Sequence, residues 1–360
     1  MDRIDIYGYK SIKSLELPLR PINVIIGANG SGKSNLLSFF ELLKNISEKK
    51  LQSYVSLRGG TDKLLHKGGK VTNEISSKIY FGHNDYSFTI QQGDEAFVFT
   101  KEGLWYDSNP YKPNPTDISS HSFEANIKDS DNYRAQYIRG YLNGYEKYHF
   151  HDTSANSPFN KTSNIENDKF FLYSKGDNIA AYLFHIQNTT PLSYQLIIRT
   201  IQSVAPYFSD FYLKPDENNQ VKLRWTDKFS STIYGVTDLS DGTIRFIALC
   251  TLFLQPQLPS TIIIDEPELG LHPTAIAKLA SLIKSAAAKN SQVIVATQST
   301  DLISHFEPED IVTVDLIDGE SKFKRLDSEE LRIWLEDYTI DELWKRNIIP
   351  HGHPHYSNVQ

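Results

Sequence analysis

Two acidic residues follow directly after a run of three isoleucines. In the stretch IIIDEPELGLHP, residues 262–273, Asp265 and Glu266 stand where a buried strand is expected to end. Two adjacent charges are unfavourable at the end of a buried strand unless a partner or ligand compensates them, so the pair suggests a functional site. Carboxylates in such a place can hold Mg²⁺ or deprotonate a water molecule.

A second stretch, GANGSGKS at residues 27–34, predicts a phosphate-binding loop. It fits the pattern G-x-x-x-x-G-K-[ST], with a predicted strand (NVII) before it and a predicted helix (SNLLSFFELLKNI) after it. The glycines let backbone N–H groups surround phosphate oxygens at a helix N-terminus, while Lys33 reaches the β and γ phosphates and Ser34 gives a hydroxyl to Mg²⁺. The alternative is a glycine-rich turn without a ligand. We expect nucleotide contacts from Gly27, Asn29, Gly30, Ser31, Gly32, Lys33, Ser34 and Asn35.

The expected position of Asp265 and Glu266 follows from the position of the phosphate loop. Parallel strands end at the carboxyl edge of a sheet, which is also where a phosphate loop lies. We therefore expect Asp265 to hold Mg²⁺, directly or through water, and Glu266 to orient and deprotonate the water that attacks the γ phosphate. A cap for the helix at Pro273 would explain Glu268 or His272, but it would not explain two acids after three isoleucines.

Two further stretches carry weaker signals. In LSDGTIRFIALCTLFL, Ser240 is a good N-cap for an amphipathic helix, and a helix N-terminus with serine and glycine amides can bind an anion. Taken alone, the stretch requires only the cap. In VIVATQSTDLI, Gln298 follows a second apolar strand at the same sheet edge as Glu266, or it is simply a polar residue at a strand end.

Composition is that of an ordinary globular protein. The 360 residues are 39% hydrophobic and 22% charged, and the net charge of −7 gives no general attraction to nucleic acid. The sequence has no apolar run long enough to span a bilayer and no signal-peptide apolar region, so we expect a cytoplasmic protein without membrane contact. The single cysteine, Cys250, excludes internal disulfides and is expected in the core.

The order of predicted elements favours an α/β fold. Two or three strands open the chain, a helix follows the loop, and residues 76–107 alternate as an antiparallel meander. Residues 108–175 show no period, helical patterns return at 176–208, and two strands flank a helix at 273–289, which implies a parallel sheet. We predict four segments: the first part of the core at 1–107, an insertion at 108–219, the second part of the core at 220–330, and a C-terminal helix and tail at 331–360.

The motifs NVIIGANGSGKSN, LSDGTIR, IIIDEPELGLHP and ATQSTDLI together resemble the ABC-type ATPases related to RecF, SMC and the OLD nucleases. The resemblance is greatest to the short stand-alone ATPases of prokaryotic defence loci, and it covers residues 1–105 and 220–315. It implies a P-loop NTPase fold of the ABC-head type, with ATP and Mg²⁺ as ligands. It also implies that Ser240 and Gly242 bind the γ phosphate held by an opposite subunit.

Other residue roles come only from this resemblance. Gln298 occupies the switch position, where the family often has histidine; glutamine can position water but cannot carry a proton. In GYKSIK, Lys10 and Ser11 match a segment that touches the nucleotide, although an exposed loop fits equally well. The Q-loop residue, Gln91 or Gln92, stays unassigned. The tail residues His351, His353 and His355 are expected to be solvated, since no acids or cysteines stand at ligand spacing.

The resemblance predicts an Mg²⁺-dependent ATPase in which ATP joins two subunits head to tail. We expect neither coiled-coil arms nor a Toprim nuclease domain, so a homodimer or higher oligomer would control a separate effector, a nuclease or toxin, in antiphage defence. The alternative is a RecF-like repair or recombination ATPase that binds duplex DNA. A soluble subunit of a transporter is a third, less favoured interpretation.

Overall fold

The computed structural model describes residues 1–94, 96–106, 114–119, 121–346 and 348–349. The helices in this part of the chain are α1 (Lys33–Ser47), α2 (Leu51–Leu57), α3 (Tyr133–Leu142), α4 (Ile179–Thr189), α5 (Pro191–Gln202), α6 (Asp241–Leu254), α7 (Pro273–Ala288), α8 (Thr300–Ile303), α9 (Ser328–Leu335) and α10 (Ile340–Lys345). The strands are β1 (Arg3–Tyr9), β2 (Ile12–Pro18), β3 (Ile22–Ile26), β4 (Glu74–Phe81), β5 (Asn84–Gln92), β6 (Phe97–Tyr106), β7 (Asn114–Asp117), β8 (Tyr145–Tyr148), β9 (Ser163–Asn164), β10 (Phe208–Phe211), β11 (Gln220–Val221), β12 (Arg224–Asp227), β13 (Ile233–Gly235), β14 (Thr261–Asp265), β15 (Gln292–Thr297), β16 (Ile311–Ile317) and β17 (Glu320–Arg325).

These elements form two compact units. The first contains residues 1–145 and the chain from 307 onward, and the second contains residues 146–306. The stretch 108–219, which the sequence suggests as one insertion, is therefore divided. Its first part joins the first unit because β7 pairs with β6, and its second part joins the second unit because β9 pairs with β11.

The first unit contains an antiparallel sheet in the order β2-β1-β4-β5-β6-β7. The meander predicted at 76–107 corresponds to β4, β5 and β6, and the two opening strands extend the same sheet. Helix α1 packs on this sheet: the ring of Phe39 lies 5.2 Å from that of Tyr9 and 6.5 Å from that of Phe88. Residues on several sides of α1 are buried, Phe39 and Leu42 among them, because α2 and α3 also pack against this helix.

Strand β3 of the first unit has a parallel neighbour. It pairs in parallel with β16, which then turns back and pairs antiparallel with β17. All five residues of β3 are buried, as expected for a parallel strand that is covered on both faces. The strand ends at Ile26, so the phosphate loop begins at its carboxyl end.

The second unit contains the predicted strand, helix, strand order. Strand β14 leads through α7 to β15, and the two strands pair in parallel from Thr261 opposite Gln292 to Asp265 opposite Ala296. Both carboxyl ends therefore lie at one edge, as the sequence argument requires. The region 208–227 forms β10, β11 and β12, and β10, β12 and β13 make a small antiparallel sheet.

Helix α6 is buried inside the second unit. The sequence predicts an amphipathic helix, but every residue from Ile244 to Leu254 is buried because α4, α5 and α7 surround it. Cys250 is fully buried there, as expected, and burial raises the pKa of its thiol well above the usual value. None of the helices in the described residues is long and apolar enough to cross a bilayer.

Candidate functional site

The predicted phosphate loop lies where strand β3 gives way to helix α1. Gly32 is the N-cap of α1, and the first turn of this helix contains no acidic residue, so the positive helix end is uncompensated by its own sequence. Lys33 is only 5% exposed, and its Nζ donates to the carbonyl oxygens of Gly27 at 2.6 Å and Ala28 at 3.0 Å. The ammonium group is thus folded into the loop, while Ser34 is exposed. This arrangement is suited to binding phosphate oxygens.

Close packing explains why two positions of the loop are occupied by glycine. Gly32 has φ of 114°, and a Cβ atom there would lie 2.0 Å from Oγ of Ser321. A Cβ atom on Gly27 would lie 2.4 Å from the carbonyl oxygen of Val314 in β16. Side chains at either position would push the loop away from the C-terminal hairpin. The loop is therefore fixed by β16 and β17 as well as by its own sequence.

The turn that joins β1 to β2 lies against the same loop. Lys10 has φ of 49°, and its Nζ donates to Oγ of Ser38 in α1 at 2.8 Å. Ser11 accepts a hydrogen bond from Nδ2 of Asn35 at 2.7 Å. His66, from the segment LRGGTDKLLHKGG, is buried and contacts the carbonyl oxygen of Lys10 at 2.7 Å. The structure therefore brings Lys10 and Ser11 together with the loop, with both side chains bonded to α1.

The acidic pair lies in the second unit, at the end of β14. Glu266 has φ of 39°, a left-handed conformation that costs a non-glycine residue about 1–3 kcal/mol. Its N–H donates to the carbonyl oxygen of Ala296 at 2.7 Å, and its Oε1 accepts a hydrogen bond from Nε2 of Gln298. Asp265 and Glu266 are both partly exposed. The structure thus places Gln298 beside Glu266, and it holds Glu266 in a conformation that is typical of functional positions.

Glu268 is a buried carboxyl group two residues further on. Its Oε1 accepts a hydrogen bond from Oγ1 of Thr297, while Oε2 is buried with no hydrogen-bond partner among the described residues. Burial raises the pKa of Glu268, and the bond from Thr297 opposes that shift. The cap of α7 is His272, which accepts from the N–H of Thr274, so the capping explanation does not apply to Glu268.

The stretch LSDG opens helix α6 in the same unit. Ser240 is exposed and is the N-cap, since its Oγ accepts from the N–H of Thr243 at 3.2 Å. Asp241 in the first turn compensates part of the positive helix end, so hydroxyl and amide groups rather than net charge would bind an anion here. A Cβ atom on Gly242 would lie 2.3 Å from the carbonyl oxygen of Gly270. Gly242 therefore allows α6 to lie directly against the turn that follows the acidic pair.

A buried arginine fixes this contact. Arg245 in α6 is 5% exposed and donates from Nε to the carbonyl oxygen of Phe150 at 3.0 Å and from Nη2 to that of His151 at 3.1 Å. Its Nη1 also bonds to the carbonyl oxygen of Leu269. Burial lowers the pKa of Arg245. One guanidinium group thus ties the start of α6 to the turn after Glu266 and to the segment 150–151.

A family described as "AAA domain, putative AbiEii toxin, Type IV TA system" matches residues 22–304. This match spans more than three quarters of the chain and includes the phosphate loop, the start of α6, the acidic pair and Gln298. The chain belongs to this family. No curated protein matches it.

Solved structures of Smc heads share the fold of this AAA domain. One, an Smc head bound to the C-winged helix domain of ScpA, has a TM-score of 0.61 at 17% identity over 92% of this chain and 99% of that chain. Another, an Smc head with an extended coiled coil bound to the C-terminal domain of ScpA derived from Pyrococcus furiosus, has a TM-score of 0.55 at 16% identity over 93% and 98%. The predicted fold class is therefore confirmed: an α/β P-loop fold of the ABC-head type, with mixed sheets and an antiparallel meander.

Several residues of the AAA domain that contact or lie near these motifs could not be predicted from the sequence. Ser321 and Arg245 act through contacts with residues far away in the chain, which no local pattern reveals. His151 is exposed to solvent, but partial burial lowers the pKa of its imidazole while Asp265 and Glu266 oppose that shift.

Gln92 donates a hydrogen bond to Oγ1 of Thr61 at 2.9 Å, and nothing marks it as a nucleotide ligand. The predicted solvated tail with His351, His353 and His355 lies outside the described residues.

The buried carboxyl group of Glu268 gives a stability prediction for the AAA domain. Glu268→Ala should lower the free energy of unfolding by about 2 kcal/mol because the hydroxyl of Thr297 loses its buried acceptor. Glu268→Gln keeps a carbonyl oxygen for Thr297 and should be at least as stable as wild type at pH 7. Since the folded pKa of Glu268 is raised, ionisation of this group lowers stability as the pH rises above its unfolded pKa, and glutamine removes that loss. Urea unfolding of both variants checks this; equal losses would contradict it.

Proposed function

We propose that the protein is an Mg²⁺-dependent ATPase that works as a dimeric nucleotide switch. One observation carries the proposal: Glu266 is held in a strained conformation at the end of β14 with Gln298 bonded to its carboxylate. The conformation and the bond fix the carboxylate just after the carboxyl end of a parallel strand, and this fixed position supports a role for Glu266 in chemistry. Membership of an AAA family with an intact phosphate loop supports ATP as the nucleotide.

Each predicted residue has a definite role in this proposal. Lys33 and the amides of the loop 27–34 bind the phosphates of ATP. Mg²⁺ suits the oxygen donors Ser34 and Asp265, and when bound it would neutralise phosphate charge. Glu266 takes a proton from the attacking water, and Gln298 orients that water without accepting a proton.

The dimer is the second part of the proposal. Ser240 is exposed at the N-terminus of a helix that is otherwise buried, and Gly242 and Arg245 fix that end against residues 269–270. We propose that Ser240 binds the γ phosphate held by a second copy of the chain. ATP would then join two copies, and hydrolysis would release them.

The proposed output is control of a separate effector protein in antiphage defence. The family description names a toxin and a toxin–antitoxin system, and the two Smc heads are each bound to a domain of another protein. Both facts support a head that acts on a partner. Co-purification with the product of a neighbouring gene, with and without ATP, would identify that partner.

Complementation of two inactive variants tests the shared site. Lys33→Ala should fail to bind ATP, while Ser240→Arg should bind ATP but turn over poorly because its arginine blocks the opposite phosphate. In a mixture, each heterodimer keeps one site built from two intact parts, so turnover should recover to about a quarter of wild type. Ser240 is preferable to Gly242, where any side chain would strike the carbonyl oxygen of Gly270 within the same chain.

A colorimetric phosphate assay on the single variants and the equimolar mixture gives the result. Thr237→Arg, an exposed position just before the motif, is the matched control and should keep wild-type turnover. Normal turnover by Ser240→Arg alone, or no recovery in the mixture, would reject the shared site.

A further inference from the structure

A row of hydrogen bonds connects the C-terminal strand β17 to the phosphate loop. Ser321 donates from Oγ to the carbonyl oxygen of Ser31 at 2.6 Å, and its Oγ lies 2.6 Å from Oγ of Ser11. Asn35 donates from Nδ2 to Oγ of Ser11 at 2.7 Å. The row therefore begins and ends on residues of the loop and the first turn of α1.

The direction of each bond follows from the number of protons. A serine hydroxyl carries one proton, and Ser321 gives its proton to Ser31. Ser11 must therefore donate to Ser321, and it accepts from Asn35. Each hydroxyl donates once and accepts once, an arrangement in which hydrogen bonds strengthen one another.

Packing leaves little freedom around this row. Ser321 is 1% exposed, and its N–H also donates to the carbonyl oxygen of Ser11 at 2.7 Å. A Cβ atom on Gly32 would lie 2.0 Å from Oγ of Ser321 and 2.9 Å from Oγ of Ser11. The two serines thus contact the loop at the residue that precedes Lys33.

We infer that Ser321 and Ser11 are positioning residues that hold the phosphate loop in its ATP-binding conformation, so that the hairpin β16–β17 sets the affinity for ATP. This inference rests on the proposed function. A loop that is already ordered loses less conformational freedom when phosphate binds, which raises affinity without any new contact to the ligand. Both serines lie outside the family match at residues 22–304, so the hydroxyl groups that hold the loop come from the flanking parts of this chain.

Titration calorimetry with ATP and Mg²⁺ tests the inference on the full chain. Ser321→Ala and Ser11→Ala should each raise the Kd for ATP about 3- to 10-fold, the effect of one lost buried hydrogen bond. The double variant should raise it no further than the larger single effect, because both changes break the same row. Turnover of Ser321→Ala at saturating ATP should stay near wild type. Ser14→Ala, at an exposed serine on β2, is the control and should leave the Kd unchanged.

The outcomes separate positioning from simple stabilisation. Ser11→Ala breaks the same row from the β1–β2 turn, where Ser11 is only partly buried, so it covers the case in which Ser321→Ala does not fold. If these variants melt at lower temperature but keep the wild-type Kd, the inference is overturned. Wild-type protein that binds no ATP would overturn the proposed function as well, whereas normal binding by all variants would overturn only this inference.

Discussion

Lys33→Ala is expected to abolish ATP binding. The side chain is the cation of the phosphate loop, and its Nζ already lies within hydrogen-bond distance of two loop carbonyl oxygens. Without it, the β and γ phosphates lose two charge-assisted hydrogen bonds, so the Kd for ATP should rise about 100-fold or more. Titration calorimetry of ATP with Mg²⁺ into the variant measures this directly.

A lysine elsewhere in the same unit provides the control. Lys50 is exposed and pairs with Glu48, so Lys50→Ala should bind ATP as wild type does. The thermal midpoint of Lys33→Ala should also be recorded, because the bonds to Gly27 and Ala28 are lost with the phosphate contacts. Wild-type affinity in a folded Lys33→Ala protein would remove the loop from the nucleotide site.

The loop could be predicted because its signal is local. A buried strand, a glycine-rich turn and an apolar helix follow one another within 26 residues, from Ile22 to Ser47, and local order determines the phosphate-binding geometry. The meander and the β14–α7–β15 order have similar local patterns, and both were predicted correctly. The local pattern predicts α6 as amphipathic. It does not show that α4 and α5, which are far away in sequence, also cover the outer face of the helix.

The supporting contacts could not be predicted for the same reason. Ser321 bonds to Ser11 and Ser31 across about 300 residues, and nothing in its neighbourhood, ESKFKR, marks it. Arg245 stands in a recognised motif, but its three carbonyl acceptors belong to segments on either side of it in the chain. The sequence allows Glu268 or His272 as the cap of α7; the cap is His272, and Glu268 is buried beside Thr297 instead. Sequence patterns thus indicate the candidate ligand residues better than the residues that hold them in place.

Glu266→Gln is expected to keep ATP bound and to stop its hydrolysis. Glutamine has nearly the same shape, so it can keep the left-handed conformation and a hydrogen bond with Gln298. It cannot accept the proton of the attacking water, and the loss of a positioned general base lowers the rate about 10²- to 10⁴-fold. A phosphate-release assay should show that loss, while calorimetry should show ATP affinity near wild type.

Glu217→Gln, at an exposed loop position in the same unit, is the matched control and should hydrolyse ATP at the wild-type rate. The same rate in Glu266→Gln would place the general base elsewhere. A loss of ATP affinity in Glu266→Gln would instead assign this carboxylate to binding rather than to water activation.

The nucleotide-dependent dimer is tested most directly by light scattering coupled to gel filtration of Glu266→Gln, with and without ATP and Mg²⁺. Because ATP persists in this variant, it should hold two chains together, so the mass should be that of at least two chains with ATP and of one chain without it. Wild-type protein should return to the single-chain mass as ATP is consumed. A Glu266→Gln protein that binds ATP but keeps the mass of one chain would contradict the dimeric switch.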